Sequence, residues 1–147
     1  MENEAKDAPL LEWESRQHEA LTGDPIWRLN CYREAMYLID RAGDDIKRFG
    51  TQPEHAKVRE QLITSVASIA ANIGEGYGRP SAKDRTRFFS YALGSAREAV
   101  LWYQVLRPSS DQAVIDDRIE RLGRIRRMLL GLLGRLREKK GRKFDKW

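Results

Sequence analysis

Apolar side chains recur at helical spacing in four consecutive stretches of this chain. In the second stretch Leu62, Val66, Ile69 and Ile73 follow one another at intervals of four, three and four residues, which places them on one face of an α-helix. That helix runs from about Glu54 to a glycine-rich segment near Gly76. The other three stretches predict helices over about 24–48, 81–107 and 112–139. No segment alternates apolar and polar residues long enough to predict a strand.

Short connections join these helices. Glycine occupies positions 74, 76 and 78 after the second helix, and we expect Gly76 or Gly78 to adopt the left-handed conformation that ends many helices. Ser81 is a predicted N-cap of the third helix, with Asp84 in its first turn. Helices joined by so few residues must lie antiparallel, so the pattern predicts an all-α, antiparallel, up-down-up-down four-helix bundle over residues 24–139.

Charge is distributed unevenly along the 147 residues, which are enough for one domain. Residues 1–24 carry seven acidic and two basic side chains, whereas residues 118–147 carry twelve basic and three acidic ones. We interpret residues 1–23 as a flexible acidic leader with at most one short helical turn. Residues 140–147 are predicted to be a basic tail that is disordered until it meets a partner.

The composition argues against several classes of function. The single cysteine, Cys31, favours a reducing compartment and has no predicted histidine partner for nucleophilic catalysis. His18 and His55 lack a second ligand at helical spacing, so no metal site is predicted. The glycine run lacks the Lys-Ser/Thr pair of a phosphate-binding loop. We therefore expect a cytoplasmic protein that is not an enzyme, has no cofactor and has no membrane segment.

The fourth helix carries a basic face that continues into the tail. A helical projection places Arg121, Arg124, Arg127 and Arg135 within about 120° of one another, opposite the leucine face. Repeated around the axis of an oligomer, such a face is suited to the phosphates of RNA or DNA. The alternative is a solvated face paired with carboxylates. The candidate nucleic-acid-binding residues are Arg121, Arg124, Arg127, Arg135, Lys139, Lys140, Arg142 and Lys143.

Polar side chains also cluster around the corner between the second and third helices. They either satisfy the backbone and one another at the turn or form a small anion- or peptide-binding site beside a helix N-terminus. The residues in question are Asn72, Glu75, Tyr77, Arg79, Ser81 and Lys83.

The third helix has more apolar surface than one bundle face needs. Aromatic side chains lie beside its core stripe, where they either widen the core or form a contact between subunits. The candidate oligomer interface consists of Phe88, Tyr91, Ser95 and Trp102.

The segment from Ser68 to Arg79, SIAANIGEGYGR, resembles a signature of a known bacterial family, and further matching residues follow it: Ser81, Lys83, Asp84, Arg87, Phe88, Gly94, Ser95 and Glu98. This is the four-helix-bundle family first found as reading frames in intervening sequences of 23S ribosomal RNA genes. The chain departs from the family pattern at Ala70, where proline is expected, and at Gly74, where alanine is expected.

The resemblance implies a homo-oligomer, with a pentamer expected. A distant relative is the accessory variability-determinant protein of diversity-generating retroelements, which engages nucleic acid and a reverse transcriptase; this relation is an analogy. Together with the basic face, it leads us to expect a non-enzymatic oligomeric scaffold that binds nucleic acid. The alternative is a protein-protein adaptor that uses the aromatic side of the third helix and binds no nucleic acid.

Overall fold

The computed structural model describes the backbone of residues 2–144 and the side chains of residues 7–139. Within these residues the chain is all-α, and α3 to α6 pack antiparallel as a bundle in which α4 contacts α3 and α5 while α6 contacts α5 and α3. The predicted all-α class and the antiparallel packing of the bundle helices are therefore confirmed. The helices are α1 (Glu2–Glu14), α2 (Glu19–Thr22), α3 (Asn30–Phe49), α4 (Ala56–Tyr77), α5 (Ala82–Leu106) and α6 (Gln112–Phe144).

The bundle core contains the predicted face of α4. Leu62, Val66, Ile69 and Ile73 have no accessible surface. In α3 the most deeply buried apolar side chains are Cys31, Ala35, Leu38 and Ala42, several of them small. Small side chains let neighbouring helices approach closely, so larger residues of α3 pack at the margins of the contact.

The corner between α4 and α5 differs from the prediction in its backbone. No described glycine has a positive φ, and Gly78 has a φ of −75°, so the predicted left-handed glycine is wrong. Gly76 is needed for a different reason: a Cβ atom there would lie 2.8 Å from Cε1 of Phe89. The predicted cap is confirmed, because the Oγ of Ser81 accepts a hydrogen bond from the backbone N–H of Asp84 at 3.1 Å.

The N-terminal segment also differs from the prediction. Where the sequence predicts a flexible leader with at most one short helical turn, Glu2–Glu14 form α1 and Glu19–Thr22 form α2. Leu10 is buried, and the ring of Trp13 stacks on Trp27 with 6.0 Å between centroids. Leu10 and Trp13, two of the isolated apolar residues of the leader, thus pack against the bundle. A search for long periodic runs of apolar residues does not detect such a segment. No helix in the described part of the chain has the length and apolarity needed to cross a membrane.

Candidate nucleic-acid interface

Several arginines of α6 lie in the interior, where carboxylates from α3 neutralise them. Arg118 donates from Nε to Asp45 at 2.8 Å, and the hydroxyl of Tyr103 donates to the same carboxylate at 2.8 Å. Burial by itself would lower the pKa of Arg118, but the hydrogen bond and charge of Asp45 outweigh it and raise that pKa above its usual value. Burial, with Asp45 adding to it, raises the pKa of Tyr103. These three side chains join α3, α5 and α6.

Arg121 is also buried, with 2% of its surface accessible. It donates to Glu34 at 2.8 Å and to Asp117 at 3.0 Å, and its guanidinium lies over the ring of Tyr37. The prediction that Arg121 lies on an exposed basic face is therefore wrong. The physical reason is its angular position: around α6 it is only about 20° from Leu132, at the edge of the core-facing side.

The next arginines of α6 are progressively more accessible. Arg124 is partly exposed and is held by Asp7 of α1 at 2.6 Å and by Glu34 at 3.1 Å. Arg127 is exposed and reaches Glu120 of its own helix at 3.4 Å. Carboxylate pairing, which the alternative predicts, is thus found for Arg121, Arg124 and Arg127.

A continuous groove runs beside α6, and we call it the cationic groove. Four of its sections are lined by described residues, and neighbouring sections among them share lining residues. The upper section lies between α1, α3 and α6 and is lined by Asp7, Leu10, Leu11, Glu14, Asn30, Arg33, Glu34, Glu120, Arg124, Arg127 and Met128. The middle section is lined by Arg28, Leu29, Asn30, Cys31, Met128, Gly131, Leu132 and Arg135.

The other two sections lie where the start of α5 meets the end of α6. The lower section is a cavity of about 500 Å³ lined by Leu29, Tyr77, Arg85, Phe89, Leu132, Arg135, Leu136 and Lys139. The corner section, of about 590 Å³, is lined by Pro80, Ala82, Lys83, Arg85, Thr86, Leu136, Arg137 and Lys139.

Acidic and basic side chains are segregated along this groove. Every described carboxylate that lines it belongs to the upper section. The middle, lower and corner sections are lined by cations, none of which forms an ion pair with a described side chain. These cations are Arg28, Lys83, Arg85, Arg135, Arg137 and Lys139. The middle, lower and corner sections therefore have a positive potential above an apolar floor.

The predicted corner cluster divides into two groups. Asn72 donates from its side chain to the carbonyl of Ser68 at 2.8 Å, and Glu75 pairs with Arg79 one turn later in the chain. Together with the cap at Ser81, these contacts stabilise the turn, as the structural alternative predicts. Tyr77 and Lys83 instead line the groove, in its lower and corner sections.

The structure thus combines residues that the sequence placed in two separate sites. Arg135 and Lys139 of the basic face lie on the same lower section as Tyr77 of the corner cluster. The side chains of Lys140, Arg142 and Lys143 lie outside the described residues. Sequence reasoning missed Arg28, Arg85 and Arg137, although antiparallel connectivity already places the start of the third helix beside the end of the fourth.

The outer side of α5 is a second surface. Tyr91 and Leu101 are each 54% exposed, and Val105 is exposed on the same side of the helix. Trp102 is partly buried against the core, while Phe88 lies beneath the guanidinium groups of Arg79 and Arg87. Ser95 is half-buried between them. The predicted aromatic side therefore contains both core-packing and exposed residues, and Leu101 and Val105 extend its exposed part.

The side chains of Cys31 and His18 both have structural surroundings. Burial raises the pKa of the Cys31 thiol to about 11, which keeps it protonated and unreactive at neutral pH. The Nδ1 of His18 accepts a hydrogen bond from the backbone of Ala20 and caps α2. Within the described part of the chain, no group of three or more His, Cys, Asp or Glu side chains is placed to hold a metal ion.

Comparison with known proteins identifies relatives by family and by fold. The family model described as 23S rRNA-intervening sequence protein matches residues 28–131. No curated protein matches the chain. A crystal structure of a protein of unknown function from the S23 ribosomal protein family of Bacteroides thetaiotaomicron is similar, with a TM-score of 0.65 and 19% identity, over 70% of this chain and 97% of that chain. At this identity the structural likeness shows a shared fold.

Proposed function

We propose that this chain, which belongs to the 23S rRNA-intervening sequence protein family, is a non-enzymatic oligomeric scaffold that binds nucleic acid in its cationic groove. The side chains proposed to bind the phosphates are the cations of the middle, lower and corner sections. Of these, Arg135 and Lys139 belong to the basic face predicted on the fourth helix. Lys83 and Arg85 are contributed by α5.

The observation that carries this proposal is the segregation of charge in the groove. Six cations line three consecutive sections, and no described carboxylate lines them. Unpaired cations along a groove repel one another and attract a polyanion, whose phosphates release counterions when they bind. A chain that needed this surface only for solubility would gain from mixing both signs of charge there.

The apolar floor of the lower section favours a single strand over a duplex. Leu29, Phe89, Leu132 and Leu136 line this section together with the cations, and Tyr77, which also lines it, is exposed. Unstacked bases bind favourably by stacking on such apolar and aromatic surfaces, whereas the bases of a duplex are already stacked on one another. We therefore expect single-stranded RNA or DNA to bind more tightly than a duplex of the same length.

Fluorescence anisotropy with a labelled single-stranded oligonucleotide, measured over a salt series, tests this function. Replacing Arg135 and Lys139 by glutamine removes two phosphate contacts, which should make the salt slope shallower by about 1.4 and weaken binding roughly 60-fold near 50 mM salt. The matched control replaces Lys47 and Arg48, two exposed cations in the last turn of α3, by glutamine. It changes the net charge by the same amount as the Arg135/Lys139 variant. The control should bind like the wild type.

Two results would contradict the proposal. One is a wild-type protein that binds neither strand type at low salt. The other is an equal loss of affinity in the Arg135/Lys139 variant and in the Lys47/Arg48 control, because long-range charge alone would then account for binding.

A second function, that of a protein-protein adaptor, is favoured by the exposed apolar residues of α5. Tyr91, Leu101 and Val105 form a stripe of the kind that marks subunit or partner contacts. In this proposal the stripe assembles copies of the chain, the pentamer being the expected state, or receives a partner such as a reverse transcriptase. Assembly also serves the first function, because each copy would add a groove to one polyanion.

A further inference from the structure

Helix α1 is an acidic segment that docks on the upper section of the cationic groove. Leu10 is its one buried residue among positions 7–14. Trp13 stacks on Trp27, meets the edge of Tyr37, and donates from its indole nitrogen to Asp40 at 2.6 Å. These contacts fix which side of α1 faces the bundle.

The carboxylates on that side bind arginines of the groove. Asp7 accepts a hydrogen bond from Arg124 at 2.6 Å, and Glu14 pairs with Arg33 at 2.8 Å. Both arginines line the upper section, next to the middle section that begins at Asn30 and Met128. The carboxylates of α1 thus occupy the positions that phosphates would take if a bound strand continued along the groove.

The two ion pairs of α1 are open to competition by other anions. Both ion pairs are partly exposed to solvent, and exposed pairs contribute little to stability. When α1 leaves, Arg124 still shares the Glu34 carboxylate with Arg121, so two guanidinium groups face one buried carboxylate there. The upper section therefore becomes more positive on release of α1.

We infer that α1 is a built-in competitor of nucleic acid for Arg33 and Arg124. When α1 is docked, the part of the groove that can bind phosphates is shorter, and when α1 is displaced, that part is longer. This inference rests on the proposed nucleic-acid function. It assigns to the acidic N-terminal helix the regulation of how many phosphates one subunit holds. An acidic amphipathic helix of a partner protein would compete in the same way.

The test compares two full-length double variants with equal changes in net charge. Asp7→Asn with Glu14→Gln removes the two carboxylates that hold the groove arginines. Glu12→Gln with Glu19→Gln is the control, because among the described side chains Glu12 pairs only with Arg16 of its own segment and Glu19 is exposed and forms no ion pair. Each variant is titrated with the single-stranded oligonucleotide across the same salt series, and circular dichroism confirms the fold.

We expect the Asp7/Glu14 variant to bind at least about tenfold more tightly near 50 mM salt, with a salt slope steeper by about 1.4, because two more phosphates are contacted. The control should stay within about threefold of the wild type and keep its slope. Hydrogen exchange of residues 7–14 should accelerate in the Asp7/Glu14 variant alone.

The outcomes separate this inference from the proposed function. Binding by the wild type with the same slope in both variants would overturn the competition while leaving the nucleic-acid function in place. Absence of binding by every form at low salt would overturn both. Binding by the Asp7/Glu14 variant alone would support both, with α1 as a complete block.

Discussion

The buried cluster of Asp45, Tyr103 and Arg118 gives the sharpest prediction about stability. Asp45 is 3% exposed, and Arg118 binds it with both Nε and Nη2 at 2.8 and 3.1 Å. Replacing Asp45 by alanine leaves the buried guanidinium without its main partner and the hydroxyl of Tyr103 without an acceptor. Breaking a buried pair in this way costs about 3–5 kcal/mol.

The structure narrows that range. Arg118 keeps a second ion pair, with Asp117 at 2.6 Å, and Asp117 is 41% exposed. Because this remaining partner lies at the surface, we expect a loss near the lower end, about 3 kcal/mol in the free energy of unfolding. Tyr103→Phe removes one hydrogen bond to the same charged carboxylate and should cost about 1.5–3 kcal/mol.

Urea unfolding followed by circular dichroism at fixed protein concentration measures these losses. Asp44→Ala is the matched control, because Asp44 is the neighbouring residue, is exposed and, within residues 7–139, pairs only with Arg41. It should cost less than about 1 kcal/mol. The triple variant Asp45→Leu, Tyr103→Phe and Arg118→Met should recover most of the stability, since it removes the buried charges and the hydroxyl that would lack an acceptor. An Asp45→Ala loss no larger than the Asp44→Ala loss would refute this reasoning.

Three further predictions concern packing, reactivity and assembly. Gly76→Ala should lower the free energy of unfolding by about 1–3 kcal/mol, because the alanine Cβ would collide with Phe89. Gly43 has open space around the position of a Cβ, so Gly43→Ala should be neutral or stabilising in the same urea assay. With a pKa raised to about 11, the Cys31 thiol at pH 8 is ionised in only about one molecule in a thousand, so a thiol reagent should react rapidly only after unfolding or at higher pH; rapid native reaction would contradict its burial. Leu101→Asp should reduce the mass measured by light scattering, and a monomeric wild type at micromolar concentration would contradict the assembly.

The sequence was sufficient for the parts of the fold that depend on local pattern. Leu62, Val66, Ile69 and Ile73 are buried as their spacing predicts, and Ser81 caps α5 as its position before Asp84 predicts. Both signals lie within one or two helical turns. They depend on the geometry of a single helix and not on which helix lies opposite.

The site could not be predicted as completely, because its contacts join distant parts of the chain. Asp45 and Arg118 are 73 residues apart, and nothing in the neighbourhood of either residue indicates the other. Arg121 is polar but sits at the margin of the apolar face, so its burial depends on Glu34 being opposite it. A helical projection gives the angle of a side chain and leaves its partner undetermined.

The most direct test of the central claim is lysine footprinting of the wild-type protein with and without a single-stranded oligonucleotide. Lys83 and Lys139 line the groove, whereas Lys47 and Lys57 are exposed elsewhere, and mass spectrometry reports the modification of all four in one experiment. We predict that the oligonucleotide protects Lys83 and Lys139 and leaves Lys47 and Lys57 unchanged. Equal protection of all four, or protection of Lys47 and Lys57 alone, would show that nucleic acid does not bind in the cationic groove.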